Sequence, residues 1–159
     1  MKIGIIATSP IVPWFIAALK PFDNVEVIAI SSRNPEKAKP YAQQFGIHRI
    51  YTDIEEMCQD PDIDTIYVTS PNFLHYRQVK LALSYGKNVI NEKPFSATLK
   101  QAKELYELAD EKKAFLFDMA ISREIDRYYF IRDNMDHLGR VRLFKNNQSQ
   151  YSRKYDAFC

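Results

Sequence analysis

The 159-residue sequence predicts an α/β fold, a doubly wound parallel sheet followed by a residual strand of a second domain. Three observations predict it. Short apolar runs recur at residues 3–6, 25–30, 65–68, 89–90 and 115–117, and they are near-continuous rather than alternating, as in strands covered on both faces. Stretches with helical periodicity separate the runs. The residue types suited to chemistry stand just after the runs, where open α/β sheets bind their ligands.

Each element carries its own signal. The run at 3–6 leads into Ala7-Thr8-Ser9-Pro10-Ile11-Val12, where Ser9 and Pro10 read as a helix cap and first helical residue. After the second run, Asn34-Pro35 opens a helix in the same way and Gly46 ends it. The run at 65–68 continues into Thr69-Ser70-Pro71-Asn72, with Asn72 as the expected cap of a helix reaching Gly86. Asn88-Val89-Ile90-Asn91 is a further strand. Thr98 and Gln101 stand at capping-box spacing, and Ala102, Leu105, Leu108 and Ala109 form one apolar face of the helix they open. After Gly139 the pattern changes to a weakly alternating stretch at 141–155. A strand needs neighbours. The expected organisation is therefore one nucleotide-type domain at 1–120, then a linking helix and the first strand of a truncated domain at 121–159.

Composition narrows the partners. The formal net charge is +2, with basic and acidic residues interspersed, so nothing draws the chain electrostatically to nucleic acid or an anionic membrane. No apolar run approaches the roughly 20 residues that span a bilayer. The two cysteines, Cys58 and Cys159, make neither a disulfide framework nor a metal spacing. A cytoplasmic protein without a metal site is the expectation.

The chemistry-bearing turns follow the strands. A dinucleotide-binding domain places G-x-G-x-x-G/A in its first βα turn, and here Ala7, Ser9 and Val12 replace those positions. The start of the following helix still turns its positive end to the site, although Pro10 brings no N–H to a phosphate. Ala7, Thr8, Ser9 and Ile11 are candidate cofactor contacts, and a purely structural turn is the competing reading. The second strand ends in Ser31-Ser32-Arg33. It lacks the carboxylate that bonds a ribose 2′-hydroxyl, and Ser32 with Arg33 suits a 2′-phosphate, so NADP is modestly favoured over NAD. A solvated loop arginine is the alternative. Ser70, Pro71, Asn72 and His75 come to the same sheet edge, with His75 either a ligand contact or a polar packing residue.

Lys93 in Glu92-Lys93-Pro94 ends the strand at 88–91. A lysine there can move a proton once its surroundings tune it. The proline after it can hold an unusual turn, including a cis one.

Taken together, Ile3-Gly4-Ile5-Ile6, Ala29-Ile30-Ser31-Ser32-Arg33, Thr69 to His75 and Gly86 to Pro94 resemble the N-terminal domain of the glucose–fructose oxidoreductase / inositol dehydrogenase family (Gfo/Idh/MocA). The resemblance covers essentially the whole chain and extends to 147–156, similar to the family's entry strand into its second domain. It implies a Rossmann-type domain of an NAD(P)-dependent oxidoreductase that passes hydride between nicotinamide and a sugar- or polyol-like substrate. It assigns Lys93 the reacting oxygen and its proton. It puts Glu92 near the nicotinamide ribose, Pro94 after a cis bond, and Ser70, Pro71 and Asn72 along the cofactor. The family forms dimers through the second domain, so a homo-oligomer is possible. That domain also supplies further acid/base residues, so the chain as given is expected to be impaired. A non-catalytic interaction domain and an inactive truncated product remain as alternatives.

Overall fold

The computed structural model describes residues 1–120, 126–140 and 142–143, and the chain divides into two units, Met1–Ala120 and Ile121–Cys159. The first unit holds strands β1 (Lys2–Ile6), β2 (Glu26–Ser31), β3 (Arg49–Tyr51), β4 (Thr65–Val68), β5 (Asn88–Asn91) and β6 (Leu116–Asp118). Its helices are α1 (Val12–Leu19), α2 (Pro35–Phe45), α3 (Ile54–Gln59), α4 (Asn72–Ser84) and α5 (Leu99–Lys112). The sheet is parallel throughout, in the order β3-β2-β1-β4-β5-β6. Strand order reverses between β1 and β4, which pair from Ile3↔Thr65 to Ile6↔Val68. A crevice outside the carboxyl ends of the strands is the consequence of such a reversal.

Helices cover both faces, and alternate residues of each strand enter opposite cores. Ile3, Ile5, Ile30 and Tyr67 pack with Val12 and Phe15 of α1 and Ala38 of α2. Ile6, Ile66, Val68 and Val89 pack with Met57 of α3, Val79 and Leu83 of α4 and Leu105 of α5. This two-sided burial is why the strands read as unbroken apolar runs. Gly4 leaves room for α3 to approach β1, since a Cβ there would lie 3.0 Å from Met57 Sδ.

The local signals act much as expected, with shifts at some ends. Asn34 caps α2, its side chain accepting from the Glu36 N–H at 3.0 Å, and Gly46 ends that helix in the left-handed region at φ 68°. α1 starts two residues later than Ser9-Pro10 suggests. Ile11 is its N-cap, while Ser9 makes a turn of its own: its carbonyl accepts from the Val12 N–H at 3.0 Å and its Oγ from the Ile11 N–H at 3.5 Å. Pro13 falls in the first turn of α1, where a missing N–H breaks no helical bond. The cap of α4 is Pro71, and Asn72 is the first helical residue. Thr98 accepts from the Gln101 N–H, but the Gln101 side chain reaches back to the Ala97 N–H rather than to Thr98. β6 lies one residue later than the run at 115–117.

β3 and α3 have no counterpart among the expected elements. β3 is a three-residue edge strand with little apolar character, and α3 is six residues long. Asp53, which accepts from the Glu55 N–H at 2.7 Å, followed by two glutamates, was the available signal for α3. In the second unit, α6 (Asp126–Asp133) is followed by a 3-10 turn at Met135–Leu138. The strand expected at 141–155 lies almost wholly outside the described residues. No helix among the described residues is long and apolar enough to cross a membrane.

An ionic cluster secures the β3 edge. Asp60 Oδ2 accepts from Arg49 at 2.5 Å and from Tyr51 Oη at 2.6 Å, and Arg49 also reaches Asp62 at 2.5 Å. Burial pushes the Asp60 carboxyl up, but the hydrogen bonds from Tyr51, the Asp62 N–H and Arg49 outweigh it and hold the group below its ordinary 3.8. A carboxyl depressed in the folded state stabilises above its unfolded value and loses that contribution as pH falls through its folded value. Urea unfolding from pH 6 down to pH 2 should therefore show a steeper acid loss in the wild type than in Asp60→Asn. Equal acid slopes would contradict this coupling.

Candidate functional site

At the carboxyl edge of the sheet, the end of β1 is held from two sides. The Ile6 carbonyl accepts from Thr69 twice, from the backbone N–H at 3.2 Å and from Oγ1 at 2.9 Å. The Ala7 N–H donates to the Ser31 carbonyl at 3.0 Å. The loops after β1, β2 and β4 therefore leave the sheet from fixed points and diverge. Between them opens a cleft of about 1370 Å³. Ala7, Thr8, Ser32, Arg33, Ser70 and Pro71 line it, with Lys37 on the α2 side and Leu74, Arg77 and Gln78 on the α4 side. Lys37, Arg77 and Gln78 were absent from the expected set. Lys37 stands one turn into α2 and the other two lie on the α4 face that follows Pro71, so helix periodicity from those caps would have found them.

Ser9, Ile11, Asn72, His75, Glu92, Lys93 and Pro94 do not line this cleft. Lys93 and its neighbours form a second locus after β5. The Lys93-Pro94 peptide is cis. Lys93 is exposed, and among the described residues its Nζ has no hydrogen bond or ion pair. Glu92 is engaged by the fold. One carboxylate oxygen accepts from Tyr67 Oη at 2.7 Å and the other from the Lys93 N–H at 3.2 Å. Tyr67 is buried against Phe15, with ring centroids 3.8 Å apart. Its burial first, and then the hydrogen bond and charge of Glu92, push the phenol far above its ordinary range, so it serves as a permanent donor.

His75 joins the two loci. It is 1 % exposed, and its ring nitrogens lie 2.9 Å from the Pro94 carbonyl and 2.7 Å from the Ser70 carbonyl. Both nitrogens are thus occupied by backbone, and the ring ties the loop after β4 to the loop after β5. Asn91 adds a second tie, donating from Nδ2 to the Phe95 carbonyl at 2.9 Å.

The β1–α1 turn can be tested for its fit to a dinucleotide. Ala7 sits at φ 80°, the left-handed conformation that the first fingerprint glycine supplies. Ala7 therefore takes a backbone conformation that a glycine adopts without strain. Ser9 consumes the Ile11 and Val12 N–H groups, and Pro10 and Pro13 have none. Among the described residues the N–H groups of Thr8 and Ser9 have no protein acceptor and remain as donors for an anion. Across the cleft, Arg33 and Lys37 likewise have no ion pair among the described residues. Arg33, Lys37, Arg77 and Lys80 line the cleft against Asp53 and Glu55, and this cationic excess fits a phosphate-bearing dinucleotide. No group of His, Cys, Asp and Glu able to hold a metal occurs among the described residues.

Known proteins resemble this chain in sequence and in fold. An oxidoreductase family with an NAD-binding Rossmann fold (Gfo/Idh/MocA) matches residues 1–118. The NADP(+)-dependent scyllo-inositol 2-dehydrogenase IolU of Bacillus subtilis is 28% identical over 158 residues, covering 99% of this chain and 48% of that protein. Trans-1,2-dihydrobenzene-1,2-diol dehydrogenase of Xenopus laevis is 38% identical over 133 residues, covering 82% of this chain and 40% of its own. Among solved structures, the 3-ketoreductase KijD10 of Actinomadura kijaniata, in complex with NADP and TDP-benzene, superposes with a TM-score of 0.77 at 28% identity. That match covers 86% of this chain and 42% of KijD10. The chain spans about half the length of the curated relatives it matches.

Ala7 should be a strained position. Ala7→Gly is expected to raise stability by about 0.5–1 kcal/mol, the left-handed penalty of alanine less the greater unfolded freedom of glycine. Thermal and urea unfolding measure this, and a lowered midpoint would show that the alanine is at ease there.

Proposed function

Because this chain belongs to the Gfo/Idh/MocA oxidoreductase family, we propose that it is the cofactor-binding half of an NAD(P)-dependent dehydrogenase or reductase acting on a sugar- or polyol-like substrate. The observation that carries the reading is the pairing of an unengaged lysine, Lys93, with a cationic cleft on the far side of the strand-order reversal. A bound nicotinamide dinucleotide supplies or takes up the hydride. Lys93 Nζ then bonds the reacting oxygen of the substrate, steadies negative charge developing on it and moves its proton. Glu92, fixed by Tyr67, holds the backbone N–H of Lys93 and so sets where the lysine leaves the strand. Ser70, Pro71 and Asn72 border the cofactor path, and His75 keeps that path and the lysine loop in a constant relation.

NADP is the better fit. The end of β2 offers Ser32 and Arg33, with Lys37 beside them, which suits a 2′-phosphate; the carboxylates of the cleft, Asp53 and Glu55, come from the turn after β3 instead. The named activities of IolU and KijD10 support this reading, since both are described with NADP. A cytoplasmic location and a homo-oligomer built through further chain accompany it as parts of the same proposal. Cys58 agrees with a reducing compartment only in being a free, buried thiol, which burial pushes up to about 11.

Titration with NADPH and NADH, followed by the fluorescence of Trp14, tests the cofactor reading. Trp14 is the sole tryptophan and 74% exposed at the start of α1. Saturable binding is expected, tighter for NADPH. Arg33→Ala should weaken NADPH by about tenfold and leave NADH nearly unchanged. No response at millimolar concentration of either would refute the reading.

The chemical role of Lys93 has a separate test. In protein carrying the substrate-binding region, Lys93→Met should lower turnover of polyols by about a thousandfold while NADPH affinity stays within about twofold. A parallel loss of both would instead make Lys93 a binding residue.

A further inference from the structure

Gln78 lies on the wall of the cleft formed by α4 and is 8% exposed. Its Oε1 accepts from Ser70 Oγ. Among the described residues its Nε2 has no partner. A side-chain amide has two donors on that nitrogen, and the nitrogen is not sealed from solvent, so it can meet an acceptor in the cleft. The fold therefore holds a polar group facing the cleft that the protein itself does not satisfy. The Ser70 hydroxyl donates to the amide oxygen, which leaves the nitrogen for the cleft.

The position of Gln78 says which part of a ligand it meets. The cleft runs past the ends of β1, β2 and β4, and Lys93, just after β5, is outside it. The reacting end of a dinucleotide belongs with Lys93. The cleft accordingly receives the other end, the adenosine half. Arg33 stands on its β2 wall, and Leu74 and Gln78 stand on its α4 wall one helical turn apart. An apolar side chain beside an outward amide donor suits a flat heteroaromatic ring with an acceptor nitrogen on its edge.

We propose that Gln78 is a specificity-determining residue for the adenosine half of the cofactor, its Nε2 donating to an acceptor on the adenine base. This rests on the cofactor reading above. Ser70 is then a positioning residue for Gln78 as well as a cleft wall, because its hydroxyl holds the amide oxygen. An amide whose orientation is fixed in the free protein binds without first being ordered, which favours affinity.

The test measures binding rather than turnover. NADPH and reduced nicotinamide mononucleotide, which lacks the adenosine half, are titrated by fluorescence against the wild-type chain and Gln78→Met. Methionine keeps the length and apolar stem of the side chain and removes both donors. The expected result is a loss of about tenfold in NADPH affinity, with affinity for the mononucleotide within about twofold. Unchanged NADPH affinity in Gln78→Met overturns the proposal. Equal weakening of both ligands overturns it too, since that is the signature of damage to the fold, and a thermal melt of the variant checks the fold independently. Gln78→Glu gives a further arm. It keeps the acceptor for Ser70 and puts an acceptor where the donor was, so it should bind NADPH no better than Gln78→Met, and wild-type affinity in it overturns the proposal. If the wild-type chain binds neither NADPH nor NADH, the cofactor reading itself fails, an outcome distinct from loss in the variant alone.

Discussion

The site depends on how a single carbonyl, that of Ile6, is shared. β1 is the central strand, and its last carbonyl accepts both the backbone N–H and the hydroxyl of Thr69. One residue on, the Ala7 N–H turns the other way, to Ser31 of β2. The chain thus switches partner strand within two residues, at the place where strand order reverses. A loop leaving β1 there has no sheet neighbour above it, so the crevice is a geometric result of the topology rather than of any special loop sequence. The crevice therefore forms here although none of the three fingerprint positions is glycine. Ala7 is pulled into the left-handed region by bonds on both sides, at a cost that the surrounding ladder covers.

The same edge shows a division of labour between buried and exposed polar groups. His75, Tyr67 and Asn91 are buried, and they hold backbone or a carboxylate in place. Lys93, Arg33 and Lys37 are exposed cations left without protein partners among the described residues. A buried polar group that lacks a partner is expensive, and of the three buried side chains only Asn91 keeps an unpartnered atom, its Oδ1. What the fold leaves unsatisfied at the edge is then informative. The Thr8 and Ser9 N–H groups, the exposed cations and the Gln78 amide make one partly charged, donor-rich surface, which matches an anionic, acceptor-rich ligand.

Much of this was legible in the sequence, for identifiable reasons. Strands buried on both faces announce themselves as unbroken apolar runs, so β1, β2, β4 and β5 could be read directly. Asn34 and Gly46 act as a cap and a stop because their signals are local. β3 and α3 were illegible because the edge strand buries little and is held by ions instead, Arg49 with Asp60 and Asp62. Ionic stitching leaves no periodicity to detect. Ser9 misled for a related reason. Its hydroxyl is a good cap in isolation, yet Pro13 is better placed in the first turn of α1, and the helix starts where the proline fits.

His75 shows where sequence reasoning about a site must stop. A histidine in the first turn of a helix at a ligand-binding edge has the right chemistry for contact with substrate or cofactor, and the sequence alone could not choose between that and packing. The choice is made by two carbonyls, Ser70 and Pro94, that are distant from each other in the chain and meet the ring only in the folded sheet. Gln78 is the converse case. Nothing in the sequence singles it out, and it gains meaning only because Ser70 binds its oxygen and nothing among the described residues takes its nitrogen. For both residues the role is decided by the hydrogen bonds the fold has already spent, and in the proposed reading the reactive end falls to Lys93, on whose Nζ none is spent among the described residues.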